Sequence, residues 1–127
     1  MMVAGVGFRR DASAAEILAA VRLALDVAGV ADKTLDALAT AAFKAEEVGA
    51  HEAAAHLKIP LIVCAPPEME RVADKTFTRS ARVQAAVGVP SVAEAAALAA
   101  AGPGSKLLGA RVATKTATCA IAIGAGP

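Results

Sequence analysis

The residues best suited to chemistry stand near the start of the chain, where two arginines follow a Gly-x-Gly sequence. Residues 5–10 read GVGFRR and end a short apolar run, Val3 to Val6, that is typical of a buried strand. Ser13 and Glu16 have the Ser-x-x-Glu spacing of a capping box, which predicts the start of a helix. A strand, a Gly-rich turn and a helix N-terminus together predict an anion cradle of backbone amides, and arginine forks suit carboxylate or phosphate. We therefore expect residues 5–13 to face a ligand.

Further candidates follow the other predicted strands, Leu35 to Ala39 and Leu61 to Cys64. In a parallel sheet, ligands bind beyond the carboxyl ends of the strands, and all three aromatic residues of the chain fall in such positions beside one or two cations. This pattern predicts a mouth with an apolar floor and a basic rim, suited to a flat apolar ligand fringed with carboxylates. The alternative is that each phenylalanine only anchors its own loop and each cation is solvated. The candidate binding residues at these loops are Gly7, Phe8, Arg9, Arg10, Thr40, Phe43, Lys44, Phe77, Thr78, Arg79 and Ser80.

Other chemistries fit the sequence less well. Arg10 stands where a dinucleotide-binding fingerprint needs its third glycine, so close approach of a pyrophosphate is disfavoured. His51 and His56 are five residues apart and lack the carboxylate of a zinc helix motif, so no metal or other cofactor is expected. Glu46 and Glu47 are adjacent and form a poor acid/base pair, although Glu47 or His51 stays open as an aid to hydrolysis. The alternative interpretation of these side chains is a solvated helix start.

The amino-acid composition limits the classes of protein to which this chain could belong. The 127 residues are 57% hydrophobic, rich in alanine and predicted to form one domain, 1–127. The net charge of +1 and the absence of Trp and Tyr argue against a nucleic-acid partner. No signal-peptide pattern and no membrane-spanning run is visible, so we expect a cytoplasmic protein. Cys64 and Cys119 lie in apolar runs and are expected to be core residues.

The elements that must position the candidates alternate between strand and helix. Such alternation predicts a three-layer α/β/α fold with a mixed, mostly parallel sheet of about five strands. The last strands, Lys106 to Ala113 and Thr118 to Ile123, are expected to form a C-terminal β-hairpin. The expected helices are Ala14 to Ala28, about Ala50 to Leu57, Glu68 to Ala73, one capped by Ser80 and ending at Gly88, and one started by a second Ser-x-x-Glu at Ser91 and Glu94 and finishing at Gly102.

Several of these segments, taken together and in order, resemble one family. They are similar to cobalamin biosynthesis protein CobE and to the C-terminal domain of CbiG-type cobalt-precorrin hydrolases. The matching segments are the opening VAGVGFRR, Thr40 with Lys44 and Glu47, the Thr-Arg-Ser at 78–80, GVPSVAEAAA at 88–97, and the tail from Lys115 through ATCAIA. The resemblance spans essentially the whole chain. The family's opening turn often reads Gly-Cys-Arg-Arg-Gly, whereas this chain has Phe8 in place of the Cys and Asp11 in place of the last Gly, so a catalytic cysteine in that turn is not transferable.

The resemblance implies a role in making the corrin ring of vitamin B12, whose intermediates carry acetate and propionate groups around an apolar macrocycle. We expect binding of a precorrin or hydrogenobyrinate-type tetrapyrrole intermediate, as a carrier or accessory factor, with Lys115 joining the arginines as a partner for carboxylates. One alternative is a hydrolase that opens the ring lactone and releases acetaldehyde. Another is a module that docks onto a corrin-pathway methyltransferase or another enzyme of the pathway, with the Ala-rich helix after Ser91 as its surface.

Overall fold

The computed structural model describes residues 1–79 and 91–126 of the protein. Six strands and four α-helices are present in these ranges, together with two short 3-10 turns at Ala42–Lys44 and Ala73–Lys75. In chain order the elements are β1 (Met2–Phe8), α1 (Ala14–Val27), β2 (Ala37–Ala41), α2 (Val48–Leu57), β3 (Leu61–Cys64), α3 (Pro66–Glu70), α4 (Val92–Ala101), β4 (Lys106–Leu107), β5 (Val112–Ala113) and β6 (Ala117–Ile123).

All six strands form one mixed sheet. Its order is β3-β2-β1-β6-β4, and β5 also pairs with β6. The pairs β1–β2 and β2–β3 are parallel, whereas β6 is antiparallel to β1, β4 and β5. Five of the six strands therefore run in one direction, with β6 opposed to them. The predicted α/β fold with a mixed, mostly parallel sheet is confirmed, as is a hairpin-like pairing of β5 with β6.

A core lies on each face of the sheet, because the side chains of each strand alternate between the faces. On one face, Val6 and Ile121 pack with α1 and α2 around the fully buried Ile17. On the other face, Val3 and Ala122 pack with α4, eight of whose ten residues are buried. The three-layer arrangement follows directly from these two cores.

Small residues let α4 approach the sheet closely. A Cβ placed on Gly5 would lie 2.1 Å from the carbonyl oxygen of Ala93 and 2.5 Å from the amide nitrogen of Ala97. The helix backbone therefore rests almost directly on the β1 backbone. Gly5 is required for this contact and lies in β1, within the strand predicted from Val3 to Val6.

Several predicted element ends are wrong by a few residues. β1 continues through Gly7 to Phe8, because Phe8 pairs with Ala117 of β6. β2 is shifted toward the C-terminus and includes Thr40, and the first arm of the predicted hairpin consists of the two short strands β4 and β5. The Ser13–Glu16 capping box is confirmed at the start of α1. The predicted helix from Ser80 to Gly88 lies outside the described residues.

Candidate functional site

The carboxyl ends of the three parallel strands meet at one edge of the sheet. The register places Phe8 opposite Ala117, at the start of β6, and Ala41 opposite Cys64. The segments that follow β1, β2 and β3 and the connection between β5 and β6 therefore lie along the same edge. The first turn of α4 is also there, because the Val92 side chain is the nearest apolar neighbour of Gly7 on that side.

Lys44 joins two of the three phenylalanines at this edge. Its Nζ lies 5.1 Å from the ring centroid of Phe8 and 5.8 Å from that of Phe43, which is within the range of cation–π attraction. Phe8 is 9% exposed and closes the core, whereas Phe43 is 60% exposed. A cation thus lies beside an exposed aromatic surface at this edge.

Arg9, Arg10 and Lys115 are exposed in the connections that lie along this edge. The amide of Arg9 donates to the carbonyl of Thr116 at 2.9 Å, so the turn after β1 and the connection that carries Lys115 are neighbours. We call the set of Phe8, Arg9, Arg10, Phe43, Lys44 and Lys115 the basic edge.

Three amides of the turn between β1 and α1, where a cradle of free amides was expected, have partners within the chain. The amide of Asp11 donates to Glu47 Oε1 at 2.8 Å, and that of Ser13 donates to Glu16 Oε1 at 2.9 Å. The amide of Ala12 donates to the Arg9 carbonyl at 3.1 Å. Because these three donors are satisfied within the chain, the arginine side chains are the main groups at this turn that could hold an anion.

Glu16 lies close to the basic edge as an ionised group. The hydrogen bond from the backbone amide of Ser13, with further hydrogen bonds from the Thr116 and Ser13 hydroxyls and the charge of Arg9, holds the pKa of its carboxyl below the usual range. Its charge faces Arg9 and so offsets part of the positive charge of the basic edge.

Glu47, one of the two weak catalytic candidates, lines an acidic depression next to the turn that follows β1. This cavity of about 300 Å³ lies between the start of α1 and the start of α2, and Asp11, Glu46, Glu47 and Glu52 contribute to its wall. Glu47 accepts the Asp11 amide, and His51 Nε2 contacts the carbonyl of Ala45. Because a carbonyl only accepts, the Nε2 atom of His51 carries the hydrogen. Both side chains therefore have roles in holding loops.

Two candidate residues face the interior of the fold. Thr40 is fully buried within β2, and its hydroxyl donates to the carbonyl of Val6 at 2.9 Å. Gly7 is half-buried in β1, and the hydroxyl of Thr118 donates to its carbonyl at 3.4 Å. The structure therefore places Thr40 beneath the basic edge as a support for β1, and Gly7 next to it.

The remaining candidates belong to a second group on the α4 side of the sheet. The amides of Phe77 and Thr78 donate to Glu94 Oε1 at 2.7 and 2.8 Å, and the Thr78 hydroxyl donates to Glu94 Oε2 at 2.6 Å. Arg79 donates to the carbonyls of Ala73 and Asp74 at 2.9 and 3.3 Å. Phe77 nevertheless keeps its ring 60% exposed. Ser80 lies outside the described residues.

Glu94 is the residue of this region that sequence reasoning assigned to a different role. It is fully buried, and besides Phe77 and Thr78 its carboxylate accepts the amide of Arg111 at 2.8 Å. Burial alone would raise the pKa of this carboxyl, but the hydrogen bonds from Thr78, Arg111 and Phe77 outweigh burial and lower the pKa. Its amide still donates to the Ser91 hydroxyl at 3.3 Å, so only half of the predicted second capping box forms.

The cysteines are buried free thiols, as expected of core residues. Burial, with a smaller contribution from the negative charge of Glu68, raises the pKa of Cys64 to about 11, and burial raises the pKa of Cys119 as well. Within residues 1–79 and 91–126, no group of three or more His, Cys, Asp or Glu side chains is placed to hold a metal ion. No helix among the described residues is long and apolar enough to span a membrane.

The mixed sheet with a core on each face and a charged, aromatic edge defines an α/β domain, and comparison with known proteins gives its family. The family described as Cobalamin synthesis G C-terminus matches residues 2–122, and the chain belongs to this family. It is 34% identical over 121 residues to the protein CobE of Sinorhizobium sp, an alignment that covers 95% of this chain and 79% of that protein. The chain is thus a protein of the cobalamin biosynthesis pathway.

Solved structures of the same family share the fold. The crystal structure of CobE, a protein from the cobalamin (vitamin B12) biosynthetic pathway, matches with a TM-score of 0.89 and 36% identity over 96% of this chain and 89% of that one. Cobalamin biosynthesis protein chiG from Agrobacterium tumefaciens str. C58 matches with a TM-score of 0.77 and 44% identity, over 98% and 99% of the two chains. A cobalamin biosynthesis protein G homolog from Sulfolobus solfataricus, 22% identical, shares the fold with a TM-score of 0.69 over 99% of this chain and 37% of that one.

Proposed function

We propose that this protein binds a precorrin or hydrogenobyrinate-type tetrapyrrole intermediate at the basic edge and acts as a carrier or accessory factor. The observation that carries the proposal is the placement of Lys44 beside the exposed ring of Phe43, next to the exposed Arg9 and Arg10. A flat macrocycle fringed with carboxylates matches this surface, because it offers an apolar face to a ring and anionic groups to cations. Membership of a cobalamin-biosynthesis family supports a corrin-type ligand.

The charges at the edge favour binding that depends on salt. Each exposed ion pair between an arginine and a carboxylate contributes about 1 kcal/mol at most, so several pairs must act together. The charges are screened over a Debye length of about 8 Å at roughly physiological ionic strength. The acidic depression beside α2 would repel peripheral carboxylates and so favour placement of the ligand on the basic edge.

The test is an anaerobic optical titration with hydrogenobyrinic acid, followed by gel filtration to show whether the coloured ligand travels with the protein. Replacing Arg9 and Arg10 by alanine is expected to weaken binding about 30-fold at low salt, because two pairs contribute about 2 kcal/mol together. Lys33→Ala with Lys106→Ala is the matched control, since both side chains are exposed and lie at the opposite edge of the sheet. Equal affinity of the two double variants would refute the site.

The two other functions considered from the sequence have less support. The hydrolase required Glu47 or His51 to activate water, and both side chains hold loops. Acetaldehyde release from a lactone-bearing intermediate by the isolated protein would restore that function. The docking module required the Ala-rich helix α4 as its surface, but α4 is the most deeply buried helix among the described residues, with eight of its ten residues buried. The prediction that α4 forms a docking surface is therefore wrong.

A further inference from the structure

Glu94 joins two segments that are far apart in the sequence. Its Oε1 accepts the amides of Phe77 and Thr78, and its Oε2 accepts the Thr78 hydroxyl and the amide of Arg111. Among the described residues, Glu94 is the only fully buried charged side chain. Four short donors to one carboxylate compensate for the loss of its hydration, and charge-assisted hydrogen bonds of this kind are the strongest that neutral donors make.

The exposure of Phe77 contrasts with the fixation of its backbone. A phenylalanine that only anchored its own loop would bury its ring, whereas Phe77 stays 60% exposed while its amide and the next one are held by a buried carboxylate. The neighbouring Thr76 is itself buried, and its hydroxyl donates to the Ala73 carbonyl at 2.7 Å, so the chain is fixed on the preceding side as well. The backbone therefore presents the ring to solvent from a rigid support.

We propose that Glu94 is a positioning residue for the tetrapyrrole site, which holds Phe77 so that its ring contacts the apolar face of the macrocycle. This inference rests on the proposed function and adds a second aromatic contact on the α4 side of the sheet. Glu94 lies in the first turn of α4, and that turn is at the edge where β1 ends, since the Val92 side chain approaches Gly7. Fixing the ring before the ligand arrives reduces the conformational entropy lost on binding.

The test is a double-mutant cycle on binding of hydrogenobyrinic acid by the full chain. Phe77→Ala is expected to weaken binding by up to about tenfold, the range of one aromatic stacking contact. Glu94→Ala is expected to weaken binding by a similar factor. Because Glu94 acts through Phe77, the double variant should bind no more weakly than Phe77→Ala alone. A merely structural role of Glu94 would give losses that multiply, and this result would overturn the inference.

Glu94→Gln keeps the cycle informative if Glu94→Ala does not fold. The remaining carbonyl oxygen can still accept the amides of Phe77 and Thr78, while the new NH₂ group faces the Arg111 amide, which is also a donor. Glu94→Gln should therefore weaken binding less than Phe77→Ala, and should have no effect when Phe77 is already alanine. If Glu94→Gln weakened binding equally with and without the Phe77 side chain, or if Phe77→Ala bound with unchanged affinity, the inference would be overturned while the proposed function would stand. Absence of binding by the unchanged protein would overturn the proposed function and the inference together.

Discussion

The contact between α4 and β1 leads to a specific prediction about Gly5. In Gly5→Ala, the added Cβ would meet the Ala93 carbonyl oxygen at 2.1 Å and the Ala97 amide nitrogen at 2.5 Å. Both atoms belong to the helix backbone and cannot rotate away. Since real Cβ contacts under 3.0 Å essentially do not occur, α4 would have to retreat from the sheet by about 1 Å.

The loss of stability depends on how much of the core packing relies on the contact between α4 and β1. A shift of α4 loosens its packing on Val3, Ala39 and Ala122 across one whole face of the sheet. Overpacking a core site costs about 1–3 kcal/mol and sometimes more, and the rigid backbone contact places Gly5→Ala at the upper end. Replacing glycine restricts the unfolded chain and returns roughly 0.4–1 kcal/mol. We expect a net loss of at least about 2 kcal/mol in the free energy of unfolding.

Gly7→Ala is the matched control, because Gly7 lies two residues further along the same strand and on the same face. Its added Cβ would lie 2.9 Å from the Thr118 hydroxyl oxygen and an ordinary 3.7 Å from the Val92 Cβ. The Thr118 side chain can adopt another rotamer and so relieve the short contact. We expect a loss below about 1 kcal/mol for this variant.

Urea unfolding followed by far-ultraviolet circular dichroism measures both changes. With a denaturant slope of about 1–2 kcal/mol/M, the midpoint of Gly5→Ala should fall by about 1–2 M, and that of Gly7→Ala by less than half as much. Equal midpoints for the two variants would refute the reasoning, since the only difference between them is what the new methyl group meets.

Two other predictions concern buried titratable groups. Because hydrogen bonds lower the folded-state pKa of Glu94, its charge stabilises the fold above the unfolded-state pKa of about 4.3, and this stabilisation is lost as the pH falls through the lower folded-state value. Glu94→Gln should therefore show a shallower loss of unfolding free energy than the unchanged protein in acid urea titrations, and parallel curves would contradict this. Both cysteines are buried free thiols, and burial raises the pKa of Cys64 to about 11 and also raises the pKa of Cys119. We expect them to react with a thiol reagent near pH 8 only on unfolding, so rapid labelling of the native protein would contradict their assigned environment.

The two Ser-x-x-Glu sequences show where sequence reasoning succeeds and where it fails. At Ser13 and Glu16 both hydrogen bonds of the capping box form, because Glu16 has no competing partner stronger than the nearby backbone. At Ser91 and Glu94 the same spacing starts a helix, but the Glu94 carboxylate is buried and accepts donors from two distant segments. The helix start was predictable because capping is local, whereas the destination of Glu94 depends on tertiary packing.

The opening Gly-x-Gly illustrates the same limit for the candidate site. Glycine permits turns, so Gly7 indicates the end of the first strand and the start of a turn when only the chain itself is considered. The reason for Gly5 is a helix whose sequence lies some ninety residues later, and β1 continues to Phe8 because β6 pairs with it. The position of Lys44 after β2 could be predicted from the strand order, but the place of Phe8 within β1, its contact with Lys44 and the separation of Phe77 from both could not.

The division of the aromatic residues between the two faces bears on the size of the proposed ligand. Phe8 and Phe43 meet Lys44 on the side of α1 and α2, whereas Phe77 is held on the side of α4. Neighbouring strands are about 4.8 Å apart, so the ends of β3, β2, β1 and β6 span about 14 Å. A small carboxylate would reach one group of residues at a time and gain little from the other. A flat macrocycle laid across the strand ends would contact rings from both faces and bring its peripheral carboxylates to Arg9 and Arg10. Phe43→Ala and Phe77→Ala should therefore each weaken binding of a tetrapyrrole. Binding of a simple anion should not be weakened by both substitutions, so the two variants distinguish the two kinds of ligand.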